Sequence, residues 1–250
     1  LKIEVPSKFV KDWLEKKFEQ IILKTIKEFV PEIKNIELVI STKPNFETSY
    51  HKKSIKKIAT ISQQKLSIFE INPQTNLNPR YRFDNFVVGQ SNELAFAACQ
   101  AITRSWGKLH NPLFIYGPVG VGKTHLLQAT GNEILRLYKN LKVKYSTTEE
   151  FTNEFIQSLK NHTTEEFRLK FRDVDVLILD DVHFLSGKNT SQEELFHTFN
   201  YLYNLSKQII FSSDRPPKLI PDIEERLRSR FEGGLVIDIN PPDYETRVAI

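Results

Sequence analysis

Gly117-Pro118-Val119-Gly120-Val121-Gly122-Lys123-Thr124 fits the spacing G-x-x-x-x-G-K-[ST]. Three of the chain's nine glycines fall inside it, which makes the stretch a tight turn by design of composition alone. Glycine lets the backbone fold with its amides facing inward. Those amides and the positive end of a following helix form a cradle for a β-phosphate. Lys123 would reach the β- and γ-oxygens as a point charge, and the Thr124 hydroxyl would ligate Mg²⁺. An incidental glycine-rich turn is the bland alternative. The setting, after an apolar strand and before a helix, favours phosphate binding.

Such a loop needs an acid on a neighbouring strand. Val176-Leu177-Ile178-Leu179-Asp180-Asp181 supplies two, at the C-terminal end of a buried strand, where open α/β sheets bind ligands. Asp180 is expected on the Mg²⁺ side, through water, and Asp181 to orient or polarise an attacking water. A solvated acidic pair at a strand end is the competing explanation. Gln208-Ile209-Ile210-Phe211-Ser212-Ser213-Asp214 is another apolar strand with a polar end. If it lies between the two strands just named, Asp214 comes near the γ-phosphate and senses its loss; otherwise it caps the turn before Arg215-Pro216-Pro217. Glu224-Glu225-Arg226-Leu227-Arg228-Ser229-Arg230-Phe231 sets Arg226 and Arg230 four apart, on one side of a helix. An arginine from a neighbouring molecule stabilises charge on a γ-phosphate. A surface helix with internal ion pairs, Glu225 to Arg228 for instance, is the alternative.

The elements that would position these residues follow from periodicity. Strands are expected at Leu113–Tyr116, Lys142–Ser146, Val174–Leu179, Gln208–Ser212 and Leu235–Ile239. Helical periods cover Lys123–Tyr138, Thr148–Lys160, Thr164–Phe171 and Ser191–Leu205. Strand–helix alternation with near-continuous apolar strands predicts an α/β fold, a parallel sheet covered on both faces.

The remainder of the chain differs. Over residues 1–40, Phe9, Trp13, Leu14, Phe18, Ile21, Ile22 and Phe29 recur at helical steps, and Ile36–Ile40 reads as a short strand. Too small to close a core alone, this is expected to be part of a small α+β N-terminal domain. Its aromatics are expected in the core, a partner-binding use of Trp13 being the alternative. Residues 41–77 lack any period and read as a mobile basic linker; the alternative is an arm touching phosphate or acidic phospholipid. Counted to residue 78, this stretch carries six Lys and two Glu, which accounts for the net charge of +4. Cys99 is the only cysteine, so an intrachain disulfide framework is excluded and a reduced, cytoplasmic setting is expected. No uncharged apolar run approaches the roughly 18 residues of a membrane span, and no signal peptide opens the chain. It begins at Leu1 and holds no Met, so a fragment of a longer protein is expected.

Taken together, Asn78–Gly89 (NPRYRFDNFVVG), NPLFIYGPVGVGKTHLLQATGNEI, LILDDVHFLSGKNTSQEELFHTFN, SSDRPPKLI and EERLRSRFEGGL closely resemble the DnaA family of bacterial chromosomal replication initiators. The likeness runs from Asn78 to Ile250 and extends weakly to VPSKFVKDWLEKKF near the start. It implies an AAA+ three-layer αβα module over residues 78–250 that binds ATP or ADP with Mg²⁺. Such a module is a weak ATPase that self-assembles on origin DNA in its ATP form, opens the duplex and helps deliver the replicative helicase. Carried over by position, Gly117, Gly120, Val121, Gly122, Lys123, Thr124, His125 and Asp214 line the nucleotide. Thr124 and Asp180 serve the metal, and Asp180, Asp181 and Arg230 serve hydrolysis. Arg226 and Arg230 act between subunits, Tyr81–Gly89 wraps the adenine side, and Ile156 and Lys188 meet single-stranded DNA in a central channel. Residues 1–40 would serve oligomerisation and helicase contact. Three positions depart from the family pattern: Pro118 replaces a glycine, Thr190 stands where some members carry another basic residue, and Asp181 is a methylene shorter than the usual AAA+ glutamate. The chain stops before the family's helical lid and its C-terminal helix-turn-helix domain, so duplex binding would belong to the missing part. An AAA+ helicase loader or a regulatory paralogue is the first rival; a small-molecule P-loop kinase is the second, and would need a substrate lid in place of the arginine segment.

Overall fold

The computed structural model describes residues 2–5, 37–40 and 72–250. The chain divides into two units, Leu1–Lys56 and Lys57–Ile250. In the first, β1 (Lys2–Val5) and β2 (Glu37–Ile40) pair in parallel, Lys2 opposite Glu37 and Val5 opposite Ile40. β2 is the strand expected at Ile36–Ile40. The expected amphipathic helix with Trp13, and the linker up to residue 71, lie outside the described residues.

The second unit is an open sheet of five parallel strands. In chain order the elements are α1 (Glu93–Arg104), β3 (Leu113–Tyr116), α2 (Lys123–Leu137), β4 (Val143–Thr147), α3 (Thr148–Asn161), α4 (Thr164–Arg172), β5 (Val176–Asp180), α5 (Asn189–Asn204), β6 (Gln208–Ser213), α6 (Glu225–Glu232), β7 (Leu235–Asp238) and α7 (Tyr244–Ala249). The strands lie in the order β4-β5-β6-β3-β7, every neighbour parallel. Side chains of a strand alternate between faces, and β5 shows the result. Leu177 and Leu179 enter one core with Phe114, Phe151, Phe171, Phe199, Phe211 and Phe231. Val176 and Ile178 enter the other with Ile102, Ile115, Leu126, Leu127 and Ile210. Helices α1 and α2 cover the second face, and α3 to α6 the first. All of β5 and β6 is buried, which is why Val176–Leu179 and Ile209–Phe211 read as apolar runs. Among the described residues no helix is long and apolar enough to cross a membrane.

Two local features matter for the site. The start of α3 is fixed by a capping box: Glu150 N–H donates to Thr147 Oγ1 at 3.2 Å, and Thr147 N–H donates to Glu150 Oε2 at 3.1 Å. The domain also begins earlier than its periodicity suggests. Residues 72–77, read from sequence as the end of the linker, dock on the sheet. Tyr145 N–H donates to Thr75 O at 2.8 Å, and Leu77 is buried in the α2 face core. Backbone pairing of this kind leaves no periodic mark in the side chains.

Candidate functional site

Strand order brings the chemistry together. β6 lies between β5 and β3, so the C-terminal ends of all three share one crest of the sheet. The loop after β3 folds on two left-handed glycines, Gly120 (φ +84°) and Gly122 (φ +94°), conformations costly for other residues. Gly122 is the residue that caps α2, and the first turn of that helix carries no acid to oppose an anion. A Cβ on Gly122 would stand 3.1 Å from the Phe86 ring, so the segment before α1 packs against the loop. Lys123 is buried and donates to Gly117 O at 2.7 Å and Pro118 O at 2.9 Å. Pro118 thus contributes its carbonyl, the half of the peptide that proline keeps. Gly117 N–H donates to Ser213 O at 3.2 Å, joining the loop to β6.

Asp180 is the hub of the crest, 2% exposed. Its Oδ2 accepts from the Thr124 hydroxyl at 2.7 Å and from the Tyr145 hydroxyl at 2.9 Å. Its Oδ1 accepts from the Ser212 hydroxyl, and Ser212 Oγ in turn accepts the Asp181 N–H at 2.8 Å. The Thr148 hydroxyl donates to Asp180 O at 2.8 Å. Burial, then the adjacent Asp180 charge, pushes the Tyr145 phenol well above its ordinary range, so it stays a neutral donor. Asp181 takes a left-handed φ of +58°, unusual for a residue with a side chain. Burial first, and the Asp180 charge second, raise its carboxyl above the usual carboxylate range; His183 and Lys123 pull the other way.

The donor set fits a hard divalent ion whose shell is completed by phosphate and water. A hydroxyl whose proton points to Asp180 leaves the Thr124 lone pairs available to a cation. Among the described residues no group of three or more His, Cys, Asp or Glu could hold a metal by itself.

The other expected residues are placed as follows. Asp214 follows β6 at the same crest, but its carboxylate is engaged: Arg215 donates to it twice, at 2.9 and 2.7 Å, and that hydrogen bonding holds it below the usual range. His183 Nδ1 lies 3.5 Å from Asp214 Oδ1. His125 turns away from the loop. Its Nε2 meets Arg82 O at 3.0 Å and Asn85 Oδ1 at 3.1 Å, and its ring lies 5.0 Å from Tyr81 and 5.2 Å from Phe86. Val121 is partly buried and packs against the core on the α2 face. Gln128 and Asn132, further along α2, hold the segment too, through Asn78 N–H (2.9 Å), Asn78 O (2.9 Å) and Tyr81 O (2.8 Å).

Arg226 and Arg230 lie four residues apart on one face of α6. Arg226 lies 4.8 Å from the Phe196 ring centroid and pairs with Glu224; Arg230 lies 5.8 Å from the Phe196 and Phe199 rings. Among the described residues no acid stands within ion-pair distance of Arg230. The expected Glu225–Arg228 pair forms at 2.7 Å. Ile156 is exposed on α3, and Lys188 is half-buried just before α5; neither bonds to the loop or to Asp180. Sequence reasoning missed Tyr145 and Ser212. The one signal for Ser212 was the pair of serines closing an otherwise apolar strand.

The family model of the bacterial DnaA ATPase domain matches residues 77–238. The structure of domain III of the Thermotoga maritima replication initiation protein DnaA is 50% identical over 68% of this chain and 71% of that one, with a TM-score of 0.67. A structure of the replication initiator DnaA bound to AMPPCP and single-stranded DNA is 48% identical, with a TM-score of 0.66, over 69% of this chain. The match spans about half of that protein, 53%. The DnaC helicase loader aligns at 18% identity with a TM-score of 0.57, a likeness of fold alone.

Proposed function

The chain belongs to the bacterial DnaA family, and on that footing we propose that it is an ATP-dependent initiator of chromosome replication whose nucleotide state governs self-assembly on origin DNA. The carrying observation is the Thr124 hydroxyl meeting Asp180 Oδ2 at 2.7 Å beneath a left-handed glycine loop. In this scheme the amides of Gly120, Val121, Gly122 and Lys123 bind the phosphates of ATP or ADP, and Lys123 exchanges its two carbonyl partners for phosphate oxygens. Thr124 and Asp180 hold the metal side. Mg²⁺ bound there supplies charge neutralisation of the phosphates.

Asp181 orients the water that attacks the γ-phosphate and accepts its proton; a raised carboxyl suits that base. Asp214 senses the γ-phosphate from the end of β6. The short side chain of Asp181 makes hydrolysis slow, fitting a switch. His125 serves the nucleotide indirectly, by clasping the Tyr81–Gly89 segment that wraps the adenine.

Arg230 of one subunit reaches the γ-phosphate of the next, with Arg226 supporting the same interface. An arginine with no acid partner of its own and held only against aromatic rings is free to do so. Ile156 and Lys188 contact single-stranded DNA, an apolar residue and a cation being what base packing and backbone tracking require. Residues 1–40 serve oligomerisation and helicase contact. Sedimentation with ATP, with ADP and without nucleotide, each with and without single-stranded DNA, tests this. Assembly is expected with ATP only; equal assembly in all three states would overturn it.

A further inference from the structure

Tyr145 stands where the segment leading into the domain meets the metal-side carboxylate. Its backbone N–H donates to Thr75 O at 2.8 Å, and its hydroxyl donates to Asp180 Oδ2 at 2.9 Å. Gln128 Oε1 accepts the Asn78 N–H at 2.9 Å. Asn132 holds Asn78 O at 2.9 Å. The stretch Thr75–Asn78, itself held by Gln128 and Asn132, therefore braces Tyr145 at its backbone. Tyr145 is buried, so water is a poor substitute partner for the phenol.

A carboxylate can rotate about its terminal bond. Here Thr124 and Tyr145 bond to one oxygen and Ser212 to the other, which leaves Asp180 a single orientation. We propose that Tyr145 is a positioning residue for Mg²⁺-nucleotide binding: braced at its backbone by Thr75, its hydroxyl locks Asp180 in the orientation that turns the Thr124 lone pairs toward the phosphate loop. The segment ahead of the domain is thereby coupled to the metal side of the site, on the face of the sheet that α2 covers. This rests on the assignment of Asp180 and Thr124 to the metal made above. Groups that orient metal-side ligands typically change metal affinity strongly while leaving other binding intact.

The test uses the full chain, with ATP binding measured calorimetrically in Mg²⁺ and in EDTA. Wild type is expected to bind ATP more tightly with Mg²⁺. Tyr145→Phe is expected to match wild type in EDTA within about twofold and to bind Mg²⁺ roughly tenfold more weakly in the presence of ATP. Wild-type Mg²⁺ affinity in Tyr145→Phe overturns the inference, as does an equal loss in EDTA and Mg²⁺, the mark of a merely structural residue. A wild type indifferent to Mg²⁺ overturns the Asp180 assignment itself, and the place of Tyr145 with it.

Discussion

The crest of the sheet and the outer face of α6 both carry charge, and they are built oppositely. At the crest one buried carboxylate receives three hydroxyls from three different elements, α2, β4 and β6. On α6, Arg226 and Arg230 are exposed and rest on the Phe196 ring. The first arrangement is complete within one chain: each donor has an acceptor, and the geometry is fixed before any ligand arrives. The second is satisfied only in part: Arg226 pairs with Glu224, while among the described residues no acid meets Arg230. Rigid placement of three donors suits a hard ion and a phosphate chain. A planar cation on an aromatic ledge suits an anion that comes from outside. On the proposed scheme, the contrast separates binding, assigned to one subunit, from reading the bound state, assigned to two.

Two substitutions would break that separation if it is wrong. Lys123→Ala removes the cradle's only point charge and should weaken ATP binding by about 100-fold or more, ~2.7 kcal/mol, measured by calorimetry on single subunits. Arg230→Ala should leave that binding within about threefold and reduce ATP-dependent assembly by roughly tenfold or more, a coupling of ~1–3 kcal/mol, followed by sedimentation. Loss of ATP affinity in isolated Arg230→Ala subunits would mean that the arginine acts in its own chain. A third measurement sharpens the comparison at the expected DNA surface. Lys188→Ala should lower the salt slope of single-strand binding by ~0.7, one phosphate contact, and Ile156→Ala should weaken binding at constant slope. An unchanged slope in Lys188→Ala removes that lysine from the DNA path.

The difference between the two regions also governs how much the sequence discloses. The cradle was legible because its spacing is contiguous: one turn, one helix start, and Lys123 and Thr124 beside the glycines. Asp180 was legible because a buried strand that ends in acids is unusual. The five strands were legible because burial on both faces leaves apolar runs, and their limits agree with the structure to within about two residues. Tyr145 and Ser212 carry no local mark. They reach Asp180 only because β4 and β6 flank β5, with Thr147 opposite Asp180 in β4. That is a fact of strand order, which periodicity does not encode. His125 shows a related limit. The resemblance set it along the nucleotide; one step along a helix turns a side chain by about 100°, and here its ring meets the Arg82–Phe86 segment. Residues 72–77 escaped detection because they dock chiefly through backbone groups, and Leu77 is a single apolar residue in a polar stretch.

The smallest expected effect concerns stability, and it tests whether burial or exposure sets the energetics of each region. Asp181 has its carboxyl raised by burial and then by Asp180. A carboxyl whose folded value lies above its unfolded one costs stability once pH exceeds the unfolded value, about 3.9. Below that pH both states are protonated and the cost disappears. Asp181→Asn removes the charge while keeping the shape. It should therefore abolish hydrolysis and raise Tm by on the order of 2 °C at neutral pH, with the gain fading as pH falls toward the unfolded value. Arg226→Ala offers the contrast. Its pair with Glu224 lies at the surface, and such pairs contribute about 0–1 kcal/mol, so its Tm should stay near wild type and run parallel to it across pH. Thermal melts of both variants from pH 4 to 8, without nucleotide, decide the matter. An Asp181→Asn gain that persists undiminished at pH 4 would mean that the acid's charge is not what strains the crest, and the contrast of a buried, pre-set crest with an exposed arginine face would lose its energetic half.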